Sequence, residues 1–558
     1  MKVQKVLAAL LACSLIFTAA CAEESVAPAS SSSDVTSEPA SAPQNSTLSL
    51  AYSSTDSLDP YAAVTRYNQE LCGLLYDSLI VLDDAFCPVY RLAEEITREG
   101  KKLLITIKAA TFSDGSAVTA EDVVYSIGKA RDSQTKYKEQ LAGITAYSAA
   151  GSRDLELTIA NDDPYFINLL DFPILKKDSD QRKNEDGKAL PPVGSGRYVF
   201  SDGTLTANPD YIGGSMAMQT VRLVDTPDKE AYDHNLEMGN IDLSFSDLSD
   251  NVPLKMTGQS QAVQLNRLVY LGINFSNGYL AEPQFRQALA LAIDREKLVS
   301  DCYFNYATPA AGPFPNSWSE ISGLQTISST ANAQRAVAIF DEIGYNSKDE
   351  DGYLLNSGGE RITFTMLVNL DNTARVAAAQ LIKAQLAAVG IAVEIRTVNW
   401  TAYQSELSSG AFDLYLGEVR LKNNMDLSPL VTEKSGACFG YIKTKTKQND
   451  TDDTADADAD VTTDADADES DSADPAPDST APSDEQAAAY ITVSAYDMIQ
   501  AFYDGKSGIA DVTAAFLAEL PVIPLLHRMG QVAYSADMTT GPDALPGDLW
   551  NGIENIAY

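Results

Sequence analysis

The stretch FSDGSAVTAEDVVYSI, Phe112 to Ile127, decides how this chain is read. Its opening, Phe112 to Gly115, carries Asp114 and Gly115 in the order a tight turn favours. Thr119 and Asp122 then stand three apart, the spacing of a capping box: Thr119 caps a helix start and Asp122 reaches back to it. An apolar helix follows. Upstream, Leu48 to Tyr52 reads as a strand, and Leu103 to Ile107 alternates like one. Tyr67 to Leu82 has helical apolar spacing through Leu71, Leu74, Leu75 and Leu79. Downstream, Asn372 to Val389 is an amphipathic helix carrying Ala378, Leu381, Ile382, Leu386 and Val389 on one side, and Gly390 stops it. Ile391 to Val398 is the next strand. Strands and helices that alternate along a chain this long predict α/β architecture in two or more lobes.

The N-terminus reads as an export signal. Lys2 and Lys5 precede an apolar run from Val6 to Ala20, too short for the roughly twenty residues of a spanning helix. Cys21 follows the small residues Ala19 and Ala20, which resembles the lipobox of bacterial lipoproteins, although Thr18 stands where leucine is usual. Residues 1–20 are therefore expected to be a signal peptide and Cys21 the lipidated residue. Residues 21–46, rich in Ser, Ala, Pro and Thr, would form a disordered tether. No later segment approaches a transmembrane span, so a soluble body outside the cytoplasm is expected.

The formal charge is −38. Asp450 to Glu485 holds thirteen Asp and two Glu with no Lys or Arg, and taking those fifteen away leaves −23. An acidic remainder argues against nucleic acid, whose binding needs Lys and Arg on phosphates. The acidic stretch, about 447–487, reads as a disordered insert. Asp456, Asp458 and Asp460 start like a calcium loop, but Val461 and Ala467 stand where glycine and the bidentate glutamate belong, so a solvated loop is the better reading. Gly194-Ser195-Gly196 lacks a third glycine and a following helix; it reads as a turn before a strand at Tyr198 to Phe200, not as a nucleotide fingerprint. Cys72, Cys87, Cys302 and Cys438 allow three disulfide pairings, among which sequence does not choose. His234 and His527 are the only histidines, too few for a good zinc site. No metal and no cofactor are expected.

Several segments in order resemble one family, the extracellular solute-binding proteins of family 5, which bind dipeptides, oligopeptides and nickel. They are TDSLDPY from Thr55, LLYDSLIVLD from Leu74, the Phe112 to Ile127 stretch, GSGRYVF from Gly194, NPDYIGG from Asn208, LEMGNIDL from Leu236, LGINFSN from Leu271, FRQALALAIDREKLV from Phe285, the Ala379 to Asp413 segment, and LPVIPLLHR from Leu520. The resemblance implies a two-lobed periplasmic-binding-protein-like fold of the class II type. Residues 47–270 would form the first lobe, with an extra subdomain at about 67–192. Residues 271–520 would form the second, and 521–558 would return to the first. Two strands would cross near Tyr270 to Asn274 and near Val522 to Leu526.

It also implies capture of a small solute, most simply a peptide, between closing lobes for delivery to a membrane ABC permease. The protein would be no enzyme, and a monomer. A metal-chelate binder, a non-transport receptor and a secreted hydrolase are the other readings; no GxSxG elbow supports the last. In peptide-binding relatives an aspartate just after the strand that here reads Phe412 to Gly417 pairs with the ligand's amino group. Glu418 and Asp426 are the acidic candidates. Arg420, two residues from Glu418, shares its strand face; the two either receive a zwitterion or pair with each other. Trp400 and Tyr403 stack on ligand side chains or pack the lobe. Tyr52, Ser53, Tyr67 and Asn68 are expected at the rim of the first lobe.

Overall fold

The structure is a computed structural model describing residues 47–249, 252–433, 435–443 and 493–558. The signal peptide, Cys21, the tether and the acidic insert lie outside the described residues. The insert's flanks are tied together: Lys443 Nζ lies 2.6 Å from Asp497 Oδ1 and 4.7 Å from the Tyr496 ring centroid.

Strand Leu48–Tyr52 pairs in parallel with Thr220–Asp225, and Thr204–Ala207 and Tyr198–Ser201 extend that sheet. A separate antiparallel sheet holds Ala93–Glu99, Lys102–Ile107, Asp154–Ile159 and Ile144–Ala149. Helix Ala120–Asp132, from the deciding stretch, packs on it. Its capping box is formed: the Thr119 backbone N–H donates to Asp122 Oδ2 at 2.8 Å. Phe112 is wholly buried and Gly115 turns at a φ of +83°, open to glycine without strain.

The largest sheet has seven strands. Its order runs Leu243–Ser246, Val522–Ser535, Gly258–Ile273, Leu414–Arg420, Thr363–Asn369, Ala392–Val398, with Ala307–Pro309 beside Val522–Ser535. The two long strands, Gly258–Ile273 and Val522–Ser535, pair antiparallel almost throughout, and the register slips between Gln264 and Leu268. Beyond the slip, Leu268 to Ile273 are buried without a break. A continuous apolar run is what a strand covered on both faces requires.

The FRQALALAIDREKLV motif supplies that covering and two staples. Arg286 and Arg295 are wholly buried, and their guanidinium groups donate to backbone carbonyls: Arg286 to Glu519 and Leu280, Arg295 to Pro524 and Ala290. They tie the helices Pro283–Ala292 and Arg295–Cys302 to the entry of strand Val522–Ser535. The C-terminal tail packs against the first sheet's surroundings: Arg197 pairs with Asp548 and Glu554, and Trp550 Nε1 donates to the Glu70 carbonyl at 2.7 Å.

Two local expectations need correction. The helix read over Tyr67 to Leu82 spans Arg66–Leu75 only; Tyr76 turns extended and Ile80–Leu82 is a strand. The apolar spacing continues past the break because Leu79 is buried from the following segment instead. The glycines of Gly194-Ser195-Gly196 serve close approach more than a turn: a Cβ on Gly194 would stand 2.0 Å from the Leu75 carbonyl oxygen, and one on Gly196 2.4 Å from the Leu75 carbonyl carbon. The four cysteines Cys72, Cys87, Cys302 and Cys438 are all free.

Candidate functional site

Strands Thr363–Asn369, Ala392–Val398 and Leu414–Arg420 run parallel, so their carboxyl ends share one edge. Ligands of open α/β sheets sit outside such an edge. Helix Thr373–Ala388 starts there, capped by Asn372, whose side chain accepts from the Arg375 backbone N–H at 3.0 Å. Trp400 also starts a helix there, 49 % exposed, with its ring 5.7 Å from Tyr403 in a stacked pair. Tyr403 lies beneath, buried, its hydroxyl donating to the Leu416 carbonyl at 2.7 Å.

Glu418 is the centre of a charge knot. Arg375 Nη2 lies 2.8 Å from Oε2, Arg528 Nη1 3.4 Å from Oε2, and Arg267 Nη1 3.5 Å from Oε1. Arg267 also holds Asp247 at 2.6 Å. Burial alone would raise the Glu418 pKa, but Arg375, then Arg528 and Arg267, outweigh it and hold the carboxylate below its ordinary range. The knot ties the edge of the parallel strands to both long strands and to the turn after Leu243–Ser246.

Arg420 does not pair with Glu418. It is exposed and has no hydrogen bond or ion pair among the described residues. It lies directly opposite Arg267 across the ladder, a like-charge cross-strand pair. Surrounding protein desolvates it and lowers its pKa, Arg267 adds to the fall, and Asp171 opposes it. Lys136 stands at the start of helix Lys136–Gln140, 5.0 Å over the Tyr137 ring. Burial pushes the Lys136 pKa down to about 8, with Arg420 adding to the fall and Asp171 opposing it. Asp171 itself accepts from Gln140 at 2.5 Å and from Asn423 at 2.7 Å.

A line of contacts joins the segment Asp163 to Asn168 to Asn423, Asn424, Phe502 and the Trp318 to Glu320 turn. Asn424 donates to Asp163 at 2.7 Å, Asn168 to the Asn423 carbonyl at 3.2 Å, and Tyr165 to Glu320 at 2.9 Å. The Tyr165 ring lies 4.9 Å from Trp318 and 5.9 Å from Phe502. Cys87 Sγ sits 3.2 Å from Ser319 Oγ.

The remaining sequence candidates are placed as follows. Asp426 accepts from the Ser428 backbone N–H at 2.9 Å. Asn68 is wholly buried and donates to the Ser53 and Ser57 carbonyls while its oxygen accepts from the Ser53 N–H. Ser53 Oγ contacts Thr55 Oγ1 at 2.9 Å. Tyr67 donates to the Thr226 carbonyl at 2.6 Å and stacks on Tyr232. Tyr52 packs on Phe200, half-buried. These four make their contacts within and beside the first sheet. Sequence reasoning missed Arg267, Arg375, Arg528, Lys136 and Asp171. Arg528 closes the LPVIPLLHR motif and Arg375 lies within the first turn of its helix, but only the tertiary fold brings them to Glu418.

A mixed α/β fold with two long paired strands and a charge cluster at the carboxyl edge of three parallel strands matches the two-lobed solute-binding fold. The family model of the bacterial extracellular solute-binding proteins, family 5 (middle), matches residues 88–432. The chain belongs to that family. It is 27 % identical over 372 residues to the oligopeptide-binding protein AppA of Bacillus subtilis, across 61 % of this chain and 67 % of AppA. Two further curated relatives are matched over 54 % and 69 % of their length. Among solved structures, a nickel ABC transporter protein from Bacillus halodurans superposes with a TM-score of 0.65 at 18 % identity, covering 91 % of this chain and 98 % of that one. AppA of Bacillus subtilis in complex with a nonapeptide gives 0.53 at 20 %, covering 92 % and 99 %. Among the described residues, no helix is long and apolar enough to cross a membrane.

Proposed function

We propose that this chain is the substrate-binding component of an ABC importer. It captures a peptide between its lobes as a monomer and hands it to a membrane permease, without catalysis. The observation that carries the reading is the family match, joined by an exposed Trp400 and an Arg420 unpaired among the described residues, both at the carboxyl ends of parallel strands, where ligands of open α/β sheets sit. The sequence similarity to an oligopeptide binder favours a peptide. Groups on both lobes give a ligand the means to favour the closed form, because only a ligand with differential affinity shifts such an equilibrium. We place the division between the lobes at the register slip, Gln264 to Leu268 on one long strand and His527 to Met529 on the other.

Cys21 would carry the lipid that anchors the protein at the cell surface, or in the periplasm of a Gram-negative cell. Stable anchoring needs more than one acyl chain. A nickel chelate is less well supported: His527 is wholly buried, and burial lowers its pKa to about 4. Among the described residues no three His, Cys, Asp or Glu side chains gather as metal ligands. The test is retention of peptides by the unloaded protein through gel filtration. Retention of one peptide per chain, without cleavage, supports capture; cleavage of the peptides contradicts it.

A further inference from the structure

The chain is strongly acidic, yet the space between the lobes gathers cations. Arg267 and Arg420 stand side by side on neighbouring strands, and Lys136, on helix Lys136–Gln140, is near enough for its charge to act on Arg420. The one carboxylate on that strand face, Glu418, is shared by Arg375, Arg528 and Arg267. Asp247 is held by Arg267, and Asp171 accepts from two amides, one of them across the gap. Arg420 is left with no ion pair or hydrogen bond among the described residues.

Like charges directly opposite in a ladder destabilise it. A lone guanidinium placed there adds nothing to the fold and costs repulsion. Such a residue is explained when something outside the chain takes its hydrogen bonds. A guanidinium suits a carboxylate, which it grips with two parallel N–H donors.

We propose that the space between Lys136, Arg267 and Arg420 is an anion subsite, and that the solute is an acidic peptide whose side-chain carboxylate it receives. The proposal rests on the peptide-capture reading and adds the charge of the ligand to it. It also gives closure a cause. Lys136 and Arg420 come from opposite lobes, so with the space empty their repulsion opposes closure. A bound carboxylate turns the same groups into a clamp. Glu418, by contrast, is already consumed and does not receive the ligand's amino group.

The test uses the full soluble body, unloaded by partial unfolding and refolding. It is offered three pools of peptides three to nine residues long, rich in Glu, Gln or Lys, and separately citrate. Retained peptides are counted by mass spectrometry and affinities follow by calorimetry. The Glu pool should be retained at least about tenfold over the Lys pool. Arg420→Ala should weaken acidic peptides by about ten- to a hundredfold, the usual loss for a charge-assisted pair, with a melting temperature no lower than the parent's. Arg420→Lys should recover part of the affinity. Equal retention of all three pools, or an Arg420→Ala variant with parental affinity, overturns the anion subsite and leaves peptide capture standing. Binding of citrate that needs Arg420, with no peptide retained from any pool, keeps the subsite and removes the peptide. Retention of neither overturns both.

Discussion

Glu418→Gln separates the two roles that sequence leaves open for this residue. The change keeps the shape of the side chain and removes its charge. Three guanidinium groups then face one another: Arg528, whose side chain is 2 % exposed, Arg375 at 12 % and Arg267 at 22 %. Among the described residues, only Arg267 keeps another carboxylate, Asp247 at 2.6 Å. Removing one partner of a buried pair typically costs about 3–5 kcal/mol, because the remaining charge stays buried. The three distances of 2.8, 3.4 and 3.5 Å put this site at the upper part of that range. At about 2–4 °C per kcal/mol for a lobe of this size, the melting temperature should fall by roughly 10 °C. Differential scanning calorimetry at neutral pH reads this directly. Arg420→Ala, two residues along the same strand, serves as the control and should melt no lower than the parent. A Glu418→Gln protein that melts within 2 °C of the parent, and loses ligand affinity instead, would refute the structural role.

Three further outcomes follow from other parts of the molecule. Cys87 Sγ and Ser319 Oγ are 3.2 Å apart, so Ser319→Cys should form a disulfide with Cys87 on mild oxidation and lock the lobes; the locked form should take up ligand only after reduction, and rapid uptake while oxidised would contradict closure at this edge. His527 is held neutral by burial, with its pKa near 4 against an ordinary 6.5. Between those values the unfolded chain binds a proton that the native chain does not, so stability falls as pH drops from 6.5 to 4, by roughly 3 kcal/mol; denaturant midpoints for parent and His527→Asn should show the variant with less of this slope. Cys21→Ala should release the protein from the membrane fraction into the medium or periplasm, read by fractionation and immunoblot, whereas continued membrane retention would contradict the anchor.

Local pattern made much of the fold readable. The capping box at Thr119 and Asp122, the strand Leu48–Tyr52 and the Asn372-capped helix each depend on residues within a turn of one another, and all three stand as read. The helix over Tyr67 to Leu82 overran because apolar spacing records burial, not its cause. Leu79 is buried by the next segment, so the spacing outlasts the helix. The site was legible only where candidates were close in sequence. Glu418 and Arg420 share a strand face, as the alternation of side chains requires, but their partners come from elsewhere. Arg267 and Arg528 are brought to Glu418 by a sheet whose neighbours are distant in the chain, and Arg375 by the helix Thr373–Ala388. Arg420 has the opposite history: the register sets it against Arg267 and away from any carboxylate. Of the residues expected at the first-lobe rim, Asn68 and Tyr67 donate to the backbone carbonyls of Ser53, Ser57 and Thr226, and Ser53 Oγ contacts Thr55 Oγ1.

The central claim is that the chain captures one solute between its lobes. The most direct measurement is native mass spectrometry of the protein purified from its own host, followed by denaturation and identification of what is released. The account predicts one small acidic peptide for each protein chain. Protein that is uniformly free of bound solute, and stays so after incubation with the acidic pool, would contradict it.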